Sequence, residues 1–474
     1  MRFKLSVLLL ILSLLPLVVS CNNSNEVDII GETIDSSQDI VQDFSEVATV
    51  SSQDPVQDFS EDAILLVDAI EDQHPIFLME DLLPEDYDER RQAFLQQTTE
   101  RITYQEFEFL VQRYIITLKD GHMMIRFGNQ FLNVDWQYID GHLFKVGENG
   151  ETKEVIEISG LPVQDVVEKV AFYYYFENDV ERQFLTSIIS RDVDLLRRAG
   201  ATIGVGMGDE VEITLHDGSN MIQENVSKRW GNLWNIASAR LTPHNFIVRY
   251  ELMDDIFYID LRTFEFDSSI DEAEAAIEEA IENGTRHFIV DLRDNGGGNS
   301  AVGDQLLSAM GISPPAYGSV RRISQQYLES LEQFGITLAD MLEGSGYDEA
   351  YIIERGYLVH EPSLEMANNP NDVFISVLTN IYTYSSATMF GIWVQDGNFG
   401  NIIGETSRNA PSVFGDMMGA VTLPESQMNI RISTSKFIRP DTEADQNMLV
   451  PDILVDSEDA LDTAIEFLDN LRSE

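Results

Sequence analysis

The sequence predicts an α/β protein whose carboxyl-terminal half rests on adjacent parallel strands, preceded by a helical segment and a mixed segment. Three observations carry this. From about residue 248, short β-rich runs alternate with helix-length amphipathic stretches, the rhythm of strand–helix–strand units. The runs HFIVDL (287–292) and VFISVLT (373–379) are almost wholly apolar, as strands covered on both faces are. Residues 63–118 instead repeat apolar side chains at i, i+3, i+4 and i+7, the spacing of helices. At 474 residues the chain exceeds what one core usually accommodates, so two or three domains are expected.

The start, MRFKLSVLLLILSLLPLVVSC, has the form of a secretory signal: Arg2 and Lys4, then an apolar run from Leu5 to Val19. Val18-Val19-Ser20-Cys21 fits a bacterial lipobox. Cys21 is the single cysteine of the chain, so no intramolecular disulfide forms and lipidation is its expected use. An ordinary signal peptide or membrane anchor that happens to carry a cysteine is the alternative. No later stretch is long and apolar enough to span a bilayer. The expectation is a signal peptide over 1–20 and a soluble body tethered to a bacterial membrane by lipid, outside the cytoplasm. The 82 acidic residues outnumber 30 basic ones, a formal charge of −52 that repels phosphate backbones and excludes nucleic acid as a partner.

The elements follow in order. SSQDIVQDFSE (36–46) recurs as SSQDPVQDFSE (51–61), a polar 15-residue duplication that reads as an acidic linker over 21–62. Residues 63–130 form the expected helical domain. Within it, Thr103 and Glu106 make a capping box, and Gly121 is read as the stop of the helix that precedes KDGH. Residues 131–245 are mixed: VIEISGLPVQDVVEKV is a strand, a tight turn and a helix, EVEITLHDG a strand and a turn, and 168–200 a helical connection. Residues 246–474 form the α/β core. Its strands are expected in DIFYIDLRTF, HFIVDL, VFISVLT and NIIGE, with helices in 270–284, AVGDQLLSAMG and SSATMFGIWVQD.

Chemistry concentrates at three places. In TYSSAT a strand hands over to a helix near Ser385. A serine there is a favoured N-cap. The same geometry puts its hydroxyl beside unpaired backbone N–H groups and the positive end of the helix dipole, where a developing oxyanion is stabilised. RDNGGGN, directly after a buried strand, lets backbone approach a ligand closely. It lacks the GxGxxG or GK[ST] of a phosphate cradle, and a turn that aims N–H groups at a carbonyl fits better. Asp120-Gly121-His122 ends the helical segment, and a histidine is the base a serine nucleophile needs near neutral pH.

These elements, in this order, resemble the carboxyl-terminal processing (tail-specific) serine proteases and their tricorn-core relatives. The likeness spans roughly residues 63–474. It is carried by QHPIF, LKDGH, FYIDLRTF, IVDLRDNGGG, VLTNIYTYSSAT, IIGET, SKFIRPD and VPDI. It implies a crotonase-like α/β core, a helical amino-terminal part and a possible PDZ-like module around VIEISGLPVQDVV. It also implies that Ser385 is the nucleophile, and that Ser386, Gly296 and Gly297 supply the oxyanion hole.

The chain departs from the pattern as well. Thr388 stands where the family has an acid, and Met123 follows DGH in place of threonine. GETSRNAPSVFGD holds no lysine where a processing protease has its base. A Ser-Lys dyad is therefore not expected. The tricorn-like branch uses Ser and His with a carboxylate, which points to His122 and, by position, to Glu443, with Asp441 and Asp416 as rivals. Lys436, in ISTSKF, is read as structural. The expected function is a lipid-anchored serine endopeptidase acting on peptide or protein substrates, with no metal (there is no HExxH and no Cys/His cluster) and no cofactor. A non-catalytic binding protein on the same fold, or an esterase using the same pair, remain open at this point. Oligomeric state is not legible.

Overall fold

The computed structural model describes residues 55–125, 130–147, 149–203, 210–227, 246–333, 335–342, 346–444 and 447–473. Cys21, the signal-like segment and the first copy of the duplication lie outside the described residues.

The carboxyl-terminal half is built on a six-stranded sheet. Its spatial order is Val248–Met253, Ile256–Leu261, His287–Asp291, Phe374–Thr379, Gly400–Gly404, Ile453–Leu454. The first two strands form an antiparallel pair, and the other neighbours run parallel. Helices Ser268–Glu282, Ser300–Ala309 and Ser386–Asp396 cover one face, burying Ile277, Leu306 and Phe390 against Ile259, Val290 and Val377. Helix Ala460–Ser473 covers the other through Ala464 and Leu468. Burial on both faces explains why HFIVD and FISVLT lack alternation. A second, four-stranded sheet centres on Gly318–Arg322 and Ser435–Ile438.

Residues 130–227 form a separate antiparallel sheet. It runs Gln130–Leu132, Asn220–Ser227, Glu210–Leu215, Thr152–Ile158, His142–Val146, Trp136–Ile139. The strand–turn–helix expected at 155–170 is present, with Ser159 and Gly160 in the turn at φ 47° and 82°. The helical connection over 168–200 is not continuous. It stops at Tyr173, restarts at Asp179 and again at Val193. Asn178 is the reason: its side chain accepts the Glu181 N–H and caps a new helix, which leaves Glu177 in a loop.

The helical domain differs at both ends from the sequence reading. Folded structure begins before residue 63, because Phe59 is fully buried and helix Ser60–Gln73 starts inside the second copy of the duplication. At the far end, the Thr103–Glu106 capping box forms as expected. The chain, however, leaves the helix through Lys119 in the left-handed region, not at Gly121. The domain is fastened to the core by the hairpin Gly419–Thr422/Asn429–Ile432. Leu423, Ile430 and Ile432 pack among Phe59, Leu66, Val67 and Phe107. Buried Asp62 accepts both the Glu425 and Ser426 N–H groups, at 2.9 and 2.7 Å. This docking carries the loop after Leu118 to the carboxyl ends of the parallel strands.

Candidate active site

Strand Phe374–Thr379 passes through Asn380–Tyr384 into helix Ser386–Asp396, and this turn is stitched to the glycine loop. Asn380 Oδ1 accepts the N–H groups of Asp294 (3.0 Å) and Tyr382 (2.9 Å), while its Nδ2 donates to Asp294 Oδ1 (2.8 Å). Thr383 Oγ1 donates to Leu292 O at 2.9 Å. The turn so held is sharp: Ser385 sits at φ 53°, ψ −123°. Such a conformation costs a non-glycine residue about 1–3 kcal/mol and persists only when its surroundings over-determine it. Ser385 flanks the helix start, but its side chain makes no capping bond. The hydroxyl faces His122 instead, Oγ lying 3.4 Å from Nε2.

The glycine loop presses its backbone on the serine. Gly297 has φ +96°, and a Cβ there would lie 2.8 Å from both Ser385 Cβ and Tyr384 O. Its N–H donates to Asn295 Oδ1 at 2.9 Å, so that donor is already committed. Gly296 is exposed, with open space where a side chain would project. Ser386 Oγ donates to Gly298 O at 2.7 Å, which occupies its hydroxyl. Its backbone N–H is the first of the helix and has no acceptor within it.

His122 is placed by its own loop. Asp120 Oδ1 accepts the His122 N–H at 2.8 Å, and Asp120 Oδ2 lies 3.1 Å from His74 Nε2. His74 Nδ1 accepts the Ile76 N–H, which makes Nε2 the protonated nitrogen that donates to Asp120. Burial pushes the Asp120 carboxyl up, but the hydrogen bond from His74 and the neighbouring imidazoles outweigh it and hold it below its usual value. QHPIF and LKDGH, distant in sequence, thus form one support. His74 has no role assignable from sequence, because only the fold shows what it touches.

The carboxylate beside His122 is Glu177, not Glu443. Glu177 Oε1 lies 3.9 Å from His122 Nδ1, a buried nitrogen with no hydrogen-bond partner. Oε2 accepts Asn409 Nδ2–H at 2.6 Å and Ala410 N–H at 2.9 Å. Burial raises the Glu177 carboxyl above its usual value, and His122, Ala410 and Asn409 offset only part of this. Gly121 belongs to the same arrangement: a Cβ there would lie 2.4 Å from Glu177 Oε1.

Glu443 is exposed on a bend whose N–H groups bond to Asp441 Oδ1. Asp416 is committed to Arg321 and Ser435, at 3.1 and 2.9 Å. Positional analogy looked downstream of the serine, whereas the carboxylate that faces His122 Nδ1 comes from upstream. The legible signal was Asn178-x-x-Glu181, a helix start that interrupts 168–200. Lys436 donates to Ser412 O at 2.9 Å and lies over the Phe414 ring, a structural placement. Thr388 is buried beside Ser407, and Met123 packs in the helical core.

Residues 255–455 match the sequence model of peptidase family S41; His122 and Glu177 lie ahead of that stretch. No curated protein matches the chain. Among solved structures, mature CPAF aligns with a TM-score of 0.55 at 18 % identity, covering 87 % of this chain and 96 % of that one. Mature CPAF complexed with lactacystin gives 0.53 at 18 %, over 87 % and 97 %. A CPAF mutant gives 0.54 at 15 %, over 87 % and 96 %. At these identities the likeness is one of fold. The family match spans the turn at Ser385 and the glycine loop: the chain is a serine-type peptidase whose residues 255–455 match family S41, in keeping with the carboxyl-terminal processing proteases.

Proposed function

We propose that the protein is an endopeptidase working through Ser385 and His122, without a lysine base. The observation that carries this is the 3.4 Å approach of His122 Nε2 to Ser385 Oγ, across 263 residues of sequence. Catalytic hydrogen bonds are commonly this long before substrate arrives. Ser385 Oγ attacks the peptide carbonyl while His122 Nε2 takes its proton, then returns it to the leaving amine. Glu177 faces the other ring nitrogen and stabilises the imidazolium that forms, the part assigned by analogy to Glu443. Closing its 3.9 Å gap to hydrogen-bond length needs a shift of about 1 Å. The Ser386 N–H at the helix start stabilises the oxyanion. Gly296 supplies the loop donor, since Gly297 gives its N–H to Asn295.

The same reading takes the core, residues 246–474, as crotonase-like and the segment around VIEISGLPVQDVV as PDZ-like, supported by the parallel strands of the first and the strand–turn–helix of the second. Cys21 is the lipid attachment, which places the enzyme outside the cytoplasm on a bacterial membrane; a wild-type chain that incorporates no labelled fatty acid, or a Cys21→Ala chain that incorporates as much as wild type, refutes this. The mechanism is tested with a fluorophosphonate probe and a peptide pool. Labelling and turnover are expected in the wild type and absent in Ser385→Ala. In His122→Ala turnover is expected to fall by about 10²–10⁴-fold. Labelling that survives Ser385→Ala identifies another nucleophile.

A further inference from the structure

In the stretch where a processing protease carries its lysine, the chain has Asn409, 1 % exposed and bonded to both Ser385 and Glu177. Its Oδ1 accepts the Ser385 N–H at 2.7 Å, and its Nδ2 donates to Glu177 Oε2 at 2.6 Å. We propose that Asn409 is a positioning residue for the reaction, clamping the nucleophile's backbone to the carboxylate behind His122. This rests on the Ser385–His122 reading above.

The clamp is specific to an amide. The Ser385 backbone needs an acceptor, and the Glu177 carboxylate needs a donor. Aspartate offers no donor and adds an anion beside Glu177. Alanine offers neither group. Glutamine adds a methylene to a site whose two bonds are already short. The surrounding backbone is fastened too: Asn178 Nδ2 donates to the carbonyls of Arg408 and Asn447, both at 2.9 Å, and Ala410 N–H reaches the same Glu177 oxygen. With Oε2 holding two donors, Oε1 is the oxygen turned toward His122. The strained Ser385 turn gains from this as well, because its own N–H is tied to a side chain fixed by the base's partner.

The charges around Glu177 make the proposal testable by pH. His122 and Asp120 face it from their loop, Glu181 from the helix it precedes, and Tyr175 from its own loop. Arg408 lies on the segment beyond, over the Tyr384 ring at 4.1 Å. Asn409 is among the groups that favour ionised Glu177. Removing it shifts the carboxyl further up, so the acid limb of the kcat profile moves to higher pH.

The experiment measures peptide turnover and fluorophosphonate labelling against pH in the full chain. It compares wild type, Asn409→Ala, Asn409→Asp, Glu177→Gln and the Asn409→Ala/Glu177→Gln double variant. Asn409→Ala is expected to lower kcat by roughly 10–100-fold with little change in KM, the scale of a misplaced catalytic group. Its acid limb moves up, and that of Asn409→Asp moves further. In the Glu177→Gln background, Asn409→Ala produces no further movement of the limb. Should Asn409→Ala not fold, Asn409→Asp keeps the acceptor for Ser385 and carries the same test. An unmoved limb in both variants, or an equal movement with Glu177 already removed, overturns the proposal. Labelling that disappears in Ser385→Ala while Asn409→Ala behaves as wild type leaves the parent reading standing and defeats this one alone.

Discussion

A methyl group at Gly121 would sit 2.4 Å from Glu177 Oε1, with no positive φ to complicate the substitution. Gly121→Ala is therefore expected to fold normally and to push the carboxylate off His122, lowering kcat by about 10²-fold with an unchanged melting temperature. A variant that melts early but keeps full turnover per folded molecule contradicts this role. Gly297→Ala is harsher. Its φ of +96° is strained for alanine, and the collisions are with backbone. A loss of about 1–3 kcal/mol in stability together with loss of labelling is expected, read from melting and probe attachment on the same samples. The serine, the glycines and His122 could be picked from sequence because their neighbours form recognisable words. Glu177, His74 and Asn409 could not, since each acts only through a partner more than 20 residues away.

At the scale of elements, the helical domain that ends at His122 is held by a hairpin of the core. Gly419–Ile432 anchors the helical domain, and Asp62 holds its tip through two backbone N–H groups. Asp62→Ala strands both donors and is expected to cost about 3 kcal/mol, since hydrogen bonds to charged groups are worth roughly 1.5–3 kcal/mol. Because the same docking carries His122 to Ser385, labelling should fall more steeply than the folded fraction measured by circular dichroism. Labelling that tracks the folded fraction would separate domain docking from catalysis. Most strands and helices were legible from apolar periodicity. The break at Tyr174–Asn178 was missed, although Asn178-x-x-Glu181 signals the start of a new helix.

For the whole molecule, the buried acids set an unusual pH dependence. Burial pushes Glu181 up to about 8 from 4.5, and Asp192 up to about 7 from 3.8. Between those values the folded chain binds more protons than the unfolded one. Their stabilisation is present in full below the unfolded values and is lost as pH rises through the folded ones. Asp120 and Asp291 are held below their usual value, so their contribution fails only in stronger acid. Self-repulsion from a charge of −52 acts in the same direction as the raised acids. Melting temperature is expected to be highest at about pH 5 and to decline toward about pH 8.5, with Glu181→Gln flattening the decline. A rising or level profile over that interval refutes this account.

The sequence by itself determined the α/β core, the helical domain, the strand-to-helix turn at Ser385, the glycine loop and the lack of a lysine in GETSRNAPSVFGD. These are local: periodicity, turn chemistry and motif words arise from residues adjacent in the chain. Only the tertiary structure decided that Glu177 faces His122, that His74 and Asp120 hold it, that Asn409 ties it to Ser385, and that Gly297 has no N–H to spare. The Glu177–His122, Asn409–Glu177 and His74–Asp120 contacts join segments far apart in the chain, and the Gly297–Asn295 bond, though local, depends on the exact path of the glycine turn. With 82 acidic residues available, spacing alone cannot single out the one buried beside the histidine.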